Sequence, residues 1–229
     1  MTAAFAPFLT LEAGRDLAEI RGSTLAHGDF HIDSARPGLL HRRAAFCHGT
    51  WTQPDEVHGT TVLAVESPGQ HDFAVADAVV TRCRGAVLAV WTGDCAPVVL
   101  VGADGALGAA HAGWKGAFDG VLQATVHAMR SSEITAVLGP CIHPCCYEFG
   151  PELLSEFVAR FGPAVAGRTS WGTPALDMRA VARASLLEVG VALDDRSQCT
   201  GCHPRRFSSH RRRGQRGRQV LTVQKRARA

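Results

Sequence analysis

Apolar positions along the chain change their period several times, and each change predicts an element. The run VHGTTVLAVE, residues 57–66, is rich in β-branched residues and predicts a strand entered through His58-Gly59. In ADAVVTRCRGAVLAVWT the pattern predicts a strand over 77–81 and another over 86–91, the second apolar at nearly every position, as a strand covered on both faces must be. Ala96 to Ala110 divides into two apolar segments about Ala103-Asp104-Gly105, a hairpin signal; folding about Asp104-Gly105 sets Val98 opposite His111. In WKGAFDGVLQATVHAM the period becomes helical. Phe118, Val121, Leu122, Thr125, Val126 and Met129 predict one amphipathic helix leaving the His111 end.

A strand follows over 131–140, then a loop over 141–150 bounded by Pro and Gly. Pro151 opens a helix with Leu153, Leu154, Phe157, Val158 and Phe161 on one face. Asp177 caps the next helix and Gly190 stops it, and a last strand runs over 218–223. The first fifty residues carry the weakest periodicity, with one strand predicted over 39–47. Mixed strands and helices without internal repeat or linker predict an α/β sandwich: a single domain over 1–229, built on a central mixed β-sheet flanked by helices.

Composition narrows the class. With 229 residues, 46% hydrophobic and 20% charged, the chain can bury a core, which excludes general disorder. No apolar run reaches the ~18 residues of a membrane span, and the N-terminus shows no basic region ahead of an apolar core, so no membrane partner and a cytoplasmic location are expected. Eight cysteines in such a chain predict reduced thiols. The net charge of +3 conceals an asymmetry, since ten Arg or Lys and no acidic residue follow Cys199, against 14 basic and 21 acidic residues before it. The Arg-rich loop 205–218 reads as a solvated segment with some phosphate contacts. A nucleic-acid partner is disfavoured, because no aromatic ladder accompanies the arginines and the acidic remainder repels a phosphate backbone. A basic binding protein without catalysis is the corresponding third reading of function.

The hairpin brings a thiol and an imidazole to one end, since Cys95 precedes its first strand and His111 ends its second. Three readings follow. Both side chains can be structural. Cys95 can be a nucleophile with His111 as base, which needs a third group to orient the imidazole; Asp94 is adjacent in sequence but alternates to the opposite face. Or Cys95, His111 and a third ligand form a zinc site with an open fourth position, and His58, beside a glycine where backbone can approach closely, is the best third ligand. CTGCH, 199–203, matches a haem-attachment pattern and half a zinc ribbon, but no second C-x-x-C exists, and the irregular gaps of CIHPCC argue against a joint four-thiolate site. None of the eleven histidines forms an H-x-H pair, so the imidazole-rich clusters of a multicopper oxidase are unsupported.

The segments EVHG (56–59), ADAVVT (76–81), GDCAPVVL (93–100), AAHAGWKG (109–116), GPCIHPCCYEFG (139–150) and FSSHRRRGQRGR (207–218) together resemble the YfiH-like, laccase-domain family, in order over residues 56–223. The resemblance implies a zinc site of His58, Cys95 and His111, with copper disfavoured. It implies small-molecule partners, a purine nucleoside and phosphate, and two activities: phosphorolysis of adenosine, inosine and methylthioadenosine, and deamination of adenosine. One bacterial branch is linked to amide hydrolysis on a peptidoglycan precursor, which supplies the alternative reading. Phosphorolysis needs cations to hold phosphate, and Lys115 near a helix N-terminus, Arg211 and Arg212 are the choices. Deamination needs a carboxylate to shuttle a proton, for which Asp94 and Glu148 are the candidates. The sequence departs from the family pattern at Glu56 (usually Gln), Gly93 (Ala), Lys115 (Arg), His210 (Tyr) and Arg213 (Asp), and residues 1–50 match it poorly.

Overall fold

The computed structural model describes residues 8–33 and 36–228; residues 1–7, on which part of the N-terminal reading falls, lie outside them. In chain order the first elements are β1 (Leu9–Ala13), β2 (Asp16–Gly22), α1 (Arg36–Phe46), β3 (Thr50–Thr52), β4 (Val62–Val65), β5 (Ala78–Thr81) and β6 (Ala86–Thr92). The hairpin β7 (Ala96–Gly102) and β8 (Leu107–Ala112) leads into α2 (Trp114–Asp119), α3 (Val121–Met129) and β9 (Ile134–Leu138). Then come α4 (Pro151–Phe161), β10 (Ala166–Arg168), β11 (Pro174–Leu176), α5 (Met178–Leu187), β12 (Ala192–Asp195), α6 (His210–Arg213) and β13 (Gln219–Ala227).

The α/β sandwich contains two large mixed sheets, in the orders β1-β2-β13-β6-β3 and β12-β9-β7-β8-β5-β4. Strand alternation assigns each side chain to a layer. Val99, Val101, Leu107 and Ala109 pack against Leu88, Val90, Leu221 and Val223 of the other sheet. Their neighbours Val98, Leu100 and Ala110 face the opposite way, onto Val121, Leu122, Phe157 and Val181 of the helices. On the outer face of the first sheet Val87 and Ala89 meet Leu39 and Phe46 of α1. β6 is apolar on both faces for that reason. No helix among the described residues is long and apolar enough to cross a membrane.

Several predicted elements are corrected. The strand predicted over 39–47 is helix through residue 46, as part of α1: Leu39, Arg43 and Phe46 share the buried face while Leu40 is exposed. The helical period was hidden because Arg43 is a buried polar member of it, donating to Gln53 and pairing with Asp72 at 2.8 Å. The helix after His111 is two helices, broken where Gly120 takes φ +100°. Leu153 is exposed rather than on the packed face of α4. The hairpin pairs Pro97, not Val98, with His111. Asp104 accepts the Ala106 N–H and Gly105 adopts φ +89°, so the turn is longer than two residues and the register moves by one. β4 begins only at Val62, and β13 runs on to Ala227 because β2, in the weakly patterned N-terminal part, pairs along it.

The face assigned to α1 predicts unequal costs. Leu39→Ala is expected to lower stability by about 2–5 kcal/mol and Leu40→Ala by less than about 0.5 kcal/mol in urea unfolding; equal losses would contradict the helix.

Candidate active site

One end of the six-stranded sheet is organised by a fully buried carboxylate, Asp77, just before β5. Its Oδ1 accepts the His58 N–H at 2.8 Å and its Oδ2 accepts the Gly59 N–H at 2.7 Å and the Val57 N–H at 3.3 Å. Oδ1 also meets His111 Nδ1 at 2.9 Å. Burial opposes the charge on Asp77, but His111 and these backbone donors outweigh it and hold the carboxyl below its ordinary range. Residues 57–59 are thereby wrapped around one side chain, with His58 at φ +61°. The wrapping also needs glycine opposite. A Cβ on Gly113 would lie 2.3 Å from His58 Cδ2, and one on Gly116 would lie 2.6 Å from the Gly59 carbonyl oxygen.

With Nδ1 committed to Asp77, His111 has Nε2 left to meet Cys95 or a metal. Cys95 Sγ stands 3.6 Å from His58 Nε2, the two imidazoles meet edge to face, and one ligand atom from each of His58, Cys95 and His111 lies within 4.8 Å of the others. Burial works against ionising Cys95, but His111 and His58 prevail and bring the thiol to about 6. Burial likewise opposes a charged His111, yet Glu56, Cys95 and Asp77 push it well up. Both shifts run in the direction of a thiolate–imidazolium pair. Glu56 behaves oppositely: burial raises it to about 8 against the pull of His111, while its Oε1 accepts the Trp91 N–H at 2.8 Å.

This donor set supports two kinds of chemistry. One thiolate and two imidazoles, one of them braced by a carboxylate, suit a divalent metal with an open position. The same atoms also form a Cys95–His111–Asp77 relay, in which Asp77 is the orienting group that sequence adjacency sought at Asp94. The three side chains open onto a cleft of about 310 Å³ with aromatic walls from Trp91, Trp114 and Tyr147 and cationic groups from Arg211 and Arg218.

Asp94 and Arg211 both line this cleft, but they act on each other. Asp94 takes the strained φ +151°, accepts the Thr200 hydroxyl at 2.5 Å and the Arg211 backbone N–H at 2.7 Å, and so anchors residues 200–211 over the site. The Arg211 guanidinium lies 4.7 Å over the Tyr147 ring and donates to the Glu148 carbonyl. Lys115, Arg212 and Glu148 are outside the cleft lining. Lys115 pairs with Asp119 at 2.5 Å, Arg212 covers Trp171 at 4.5 Å, and the Glu148 carboxylate accepts the Trp171 indole N–H. Asp77, Trp91 and Arg218 were not singled out by sequence, and Glu56 only as a departure from the family pattern; the acidic residue heading the apolar strand AVVT was the available signal for Asp77.

The four-thiolate arrangement disfavoured on spacing is formed. The sulfurs of Cys145, Cys146, Cys199 and Cys202 all lie within 4.8 Å of one another. Their gaps are irregular because two separate loops supply them, joined by a parallel bridge between Cys141 and Cys199.

Residues 33–226 match the family model described as multi-copper polyphenol oxidoreductase laccase. A Xylella fastidiosa (strain Temecula1) protein named purine nucleoside phosphorylase is 41% identical over 175 residues, 71% of this chain and 67% of its own length. Purine nucleoside phosphorylase YlmD of Geobacillus stearothermophilus is 31% identical over 224 residues, 86% of this chain and 82% of its own. Among solved structures, the Neisseria meningitidis protein NMB0706, of family model DUF152, gives a TM-score of 0.77 at 26% identity over 94% of this chain and 98% of its own. The Geobacillus YlmD structure gives 0.73 at 27% identity over 93% and 92%.

The ion pair predicts the reactivity of Cys95. In chelator-treated protein its alkylation by iodoacetamide, followed on the Cys95 peptide by mass spectrometry, is expected to rise through pH about 6 and then level off; a rise only near ~8.5, as for an unperturbed thiol, would contradict the electrostatics.

Proposed function

This chain belongs to the multi-copper polyphenol oxidoreductase laccase family, and from that premise we propose that it is a zinc-dependent purine nucleoside phosphorylase that also deaminates adenosine. The observation that carries the reading is the convergence of His58, Cys95 and His111 on an aromatic, cationic cleft. Similar proteins named purine nucleoside phosphorylase supply the substrate class. A mixed thiolate and imidazole donor set favours zinc over a copper cluster, which would require more imidazoles than this group offers. Zinc held there supplies a Lewis acid able to polarise an oxygen or activate water near neutral pH.

The remaining work falls to the chain's own side chains. Trp91, Trp114 and Tyr147 offer ring faces and edges for the purine. Arg211 uses one guanidinium nitrogen on the Glu148 carbonyl and, among the described residues, has its other donors available for phosphate. Lys115 and Arg212, occupied elsewhere and outside the cleft lining, give way to Arg211 in this role. The leaving base requires a proton. Burial favours the protonated form of Glu56, which lines the cleft and is there a hydrogen-bonding equivalent of the family's usual glutamine that carries an acidic proton. Asp94, with both oxygens already accepting hydrogen bonds, serves as the anchor of the cleft wall.

A second reading draws on the Cys95–His111–Asp77 relay, which is arranged as in enzymes that hydrolyse amides through a thiolate. One assay separates the two. Inosine with phosphate should yield free hypoxanthine only when phosphate is present, with loss on chelation and recovery on adding zinc, and Arg211→Ala should lower kcat/KM roughly 10- to 150-fold, the loss of one charge-assisted contact of ~1.5–3 kcal/mol. Chelator-resistant turnover abolished by alkylating Cys95 would replace this reading with the thiolate one, and no release of purine from any nucleoside would remove it.

A further inference from the structure

The second cysteine group is separate from the cleft and unused by the proposed chemistry. Cys145 and Cys146 are consecutive residues of the short 3-10 turn Pro144–Cys146, and Cys199 and Cys202 belong to the CTGC segment before α6. The sulfur of Cys145 lies 3.9 Å from that of Cys146, 3.7 Å from Cys199 and 3.5 Å from Cys202, and Cys146 lies 3.5 Å from Cys202. A tetrahedral zinc with Zn–S bonds of ~2.3 Å places its sulfurs about 3.8 Å apart. Four pairs thus match the edge of such a tetrahedron, and the other two are within 4.8 Å. A cubane iron–sulfur cluster would hold its cysteines farther apart, and a disulfide would need an S–S distance near ~2.05 Å; all eight cysteines are free.

Two further observations point to a ligand. Backbone N–H groups are aimed at sulfur: the His143 N–H donates to Cys199 Sγ at 3.4 Å, and the Cys202 N–H donates to the same atom, an arrangement that suits a metal-bound thiolate. The turn is also built for close approach, since a Cβ on Gly201 would lie 2.7 Å from Cys146 Cβ and 2.8 Å from its sulfur. Cys202 is exposed and Cys145 half-buried, so packing alone does not explain why four sulfurs face one point.

We propose that Cys145, Cys146, Cys199 and Cys202 bind a second, structural zinc ion in a closed four-thiolate site that clips the loop 141–149 to the segment 199–213. Those two stretches carry Tyr147, His210 and Arg211, which wall the cleft, and the Thr200 hydroxyl that holds Asp94. The clip therefore fixes the cleft wall from behind. Its four ligands leave no open position, so the ion takes no part in reaction.

The test uses the full-length Cys95→Ala/His111→Ala variant, which dismantles the first metal group, purified under reducing conditions and loaded with zinc sulfate before gel filtration. Elemental analysis is expected to find about one zinc per chain, and X-ray absorption to find four sulfur neighbours at ~2.3 Å. Adding Cys202→Ser is expected to reduce retained zinc at least tenfold. If that triple variant does not fold, the absorption spectrum of the double variant decides alone. Absence of zinc from the double variant, a nitrogen and oxygen shell around it, or full retention after Cys202→Ser would overturn the proposal. Because these readouts count metal and ligands rather than turnover, they stand or fall independently of the proposed nucleoside activity.

Discussion

Asp77 is the constraint on which the site depends. A carboxylate removed from water is costly unless donors replace its solvation, and here three consecutive backbone N–H groups and one imidazole do so. The dependence runs both ways. The charge is tolerable only if residues 57–59 curl around it, and the curled loop is tolerable only because Gly113 and Gly116 leave room for His58 and the Gly59 carbonyl. One buried group thereby places His58, selects the free nitrogen of His111 and aims both at Cys95.

A second carboxylate works in the same manner on the other side of Cys95. The backbone strain of Asp94 persists because its side chain is doubly held, by Thr200 and by the Arg211 amide. That hold draws the basic segment onto the cleft. Two of its arginines are then engaged internally: Arg213 donates to the carbonyls of Thr200, Gly201 and Phe207, and Arg218 to those of Gln215, Arg216 and Gly217. The Arg-rich loop keeps most of its arginines exposed, as its sequence suggests, while Arg213 and Arg218 turn inward and brace its backbone.

Elements with an apolar period were legible: β6 through its continuous run, α5 through the Asp177 cap, and the hairpin through Asp-Gly. The elements that escaped carry polar residues inside. Arg43 breaks the apparent period of α1, and β2 buries Glu19 and Arg21 as an ion pair at 3.0 Å, so neither segment shows the pattern its burial would suggest. For the site, local spacing brought Cys95 and His111 together. It did not reveal Asp77, whose partners are 18 to 34 residues away in the chain, or the cysteine group, whose halves are joined across 54 residues. Long-range partners have no periodicity to betray them, and a cation near a helix N-terminus set Lys115 beside Arg211 because that placement cannot distinguish a guanidinium on the cleft from an ammonium engaged with Asp119.

The central role given to Asp77 is open to a direct measurement: native-state hydrogen exchange at the amides of Val57, His58 and Gly59 in Asp77→Asn. The amide side chain has the shape of the carboxylate but lacks its charge, and its –NH₂ cannot accept from backbone or imidazole. With charge-assisted hydrogen bonds worth ~1.5–3 kcal/mol each, exchange at these three amides is predicted to accelerate at least about tenfold while the amides between β7 and β8 stay protected. Unchanged protection of residues 57–59 would show that the loop holds itself without the carboxylate, and would contradict the account.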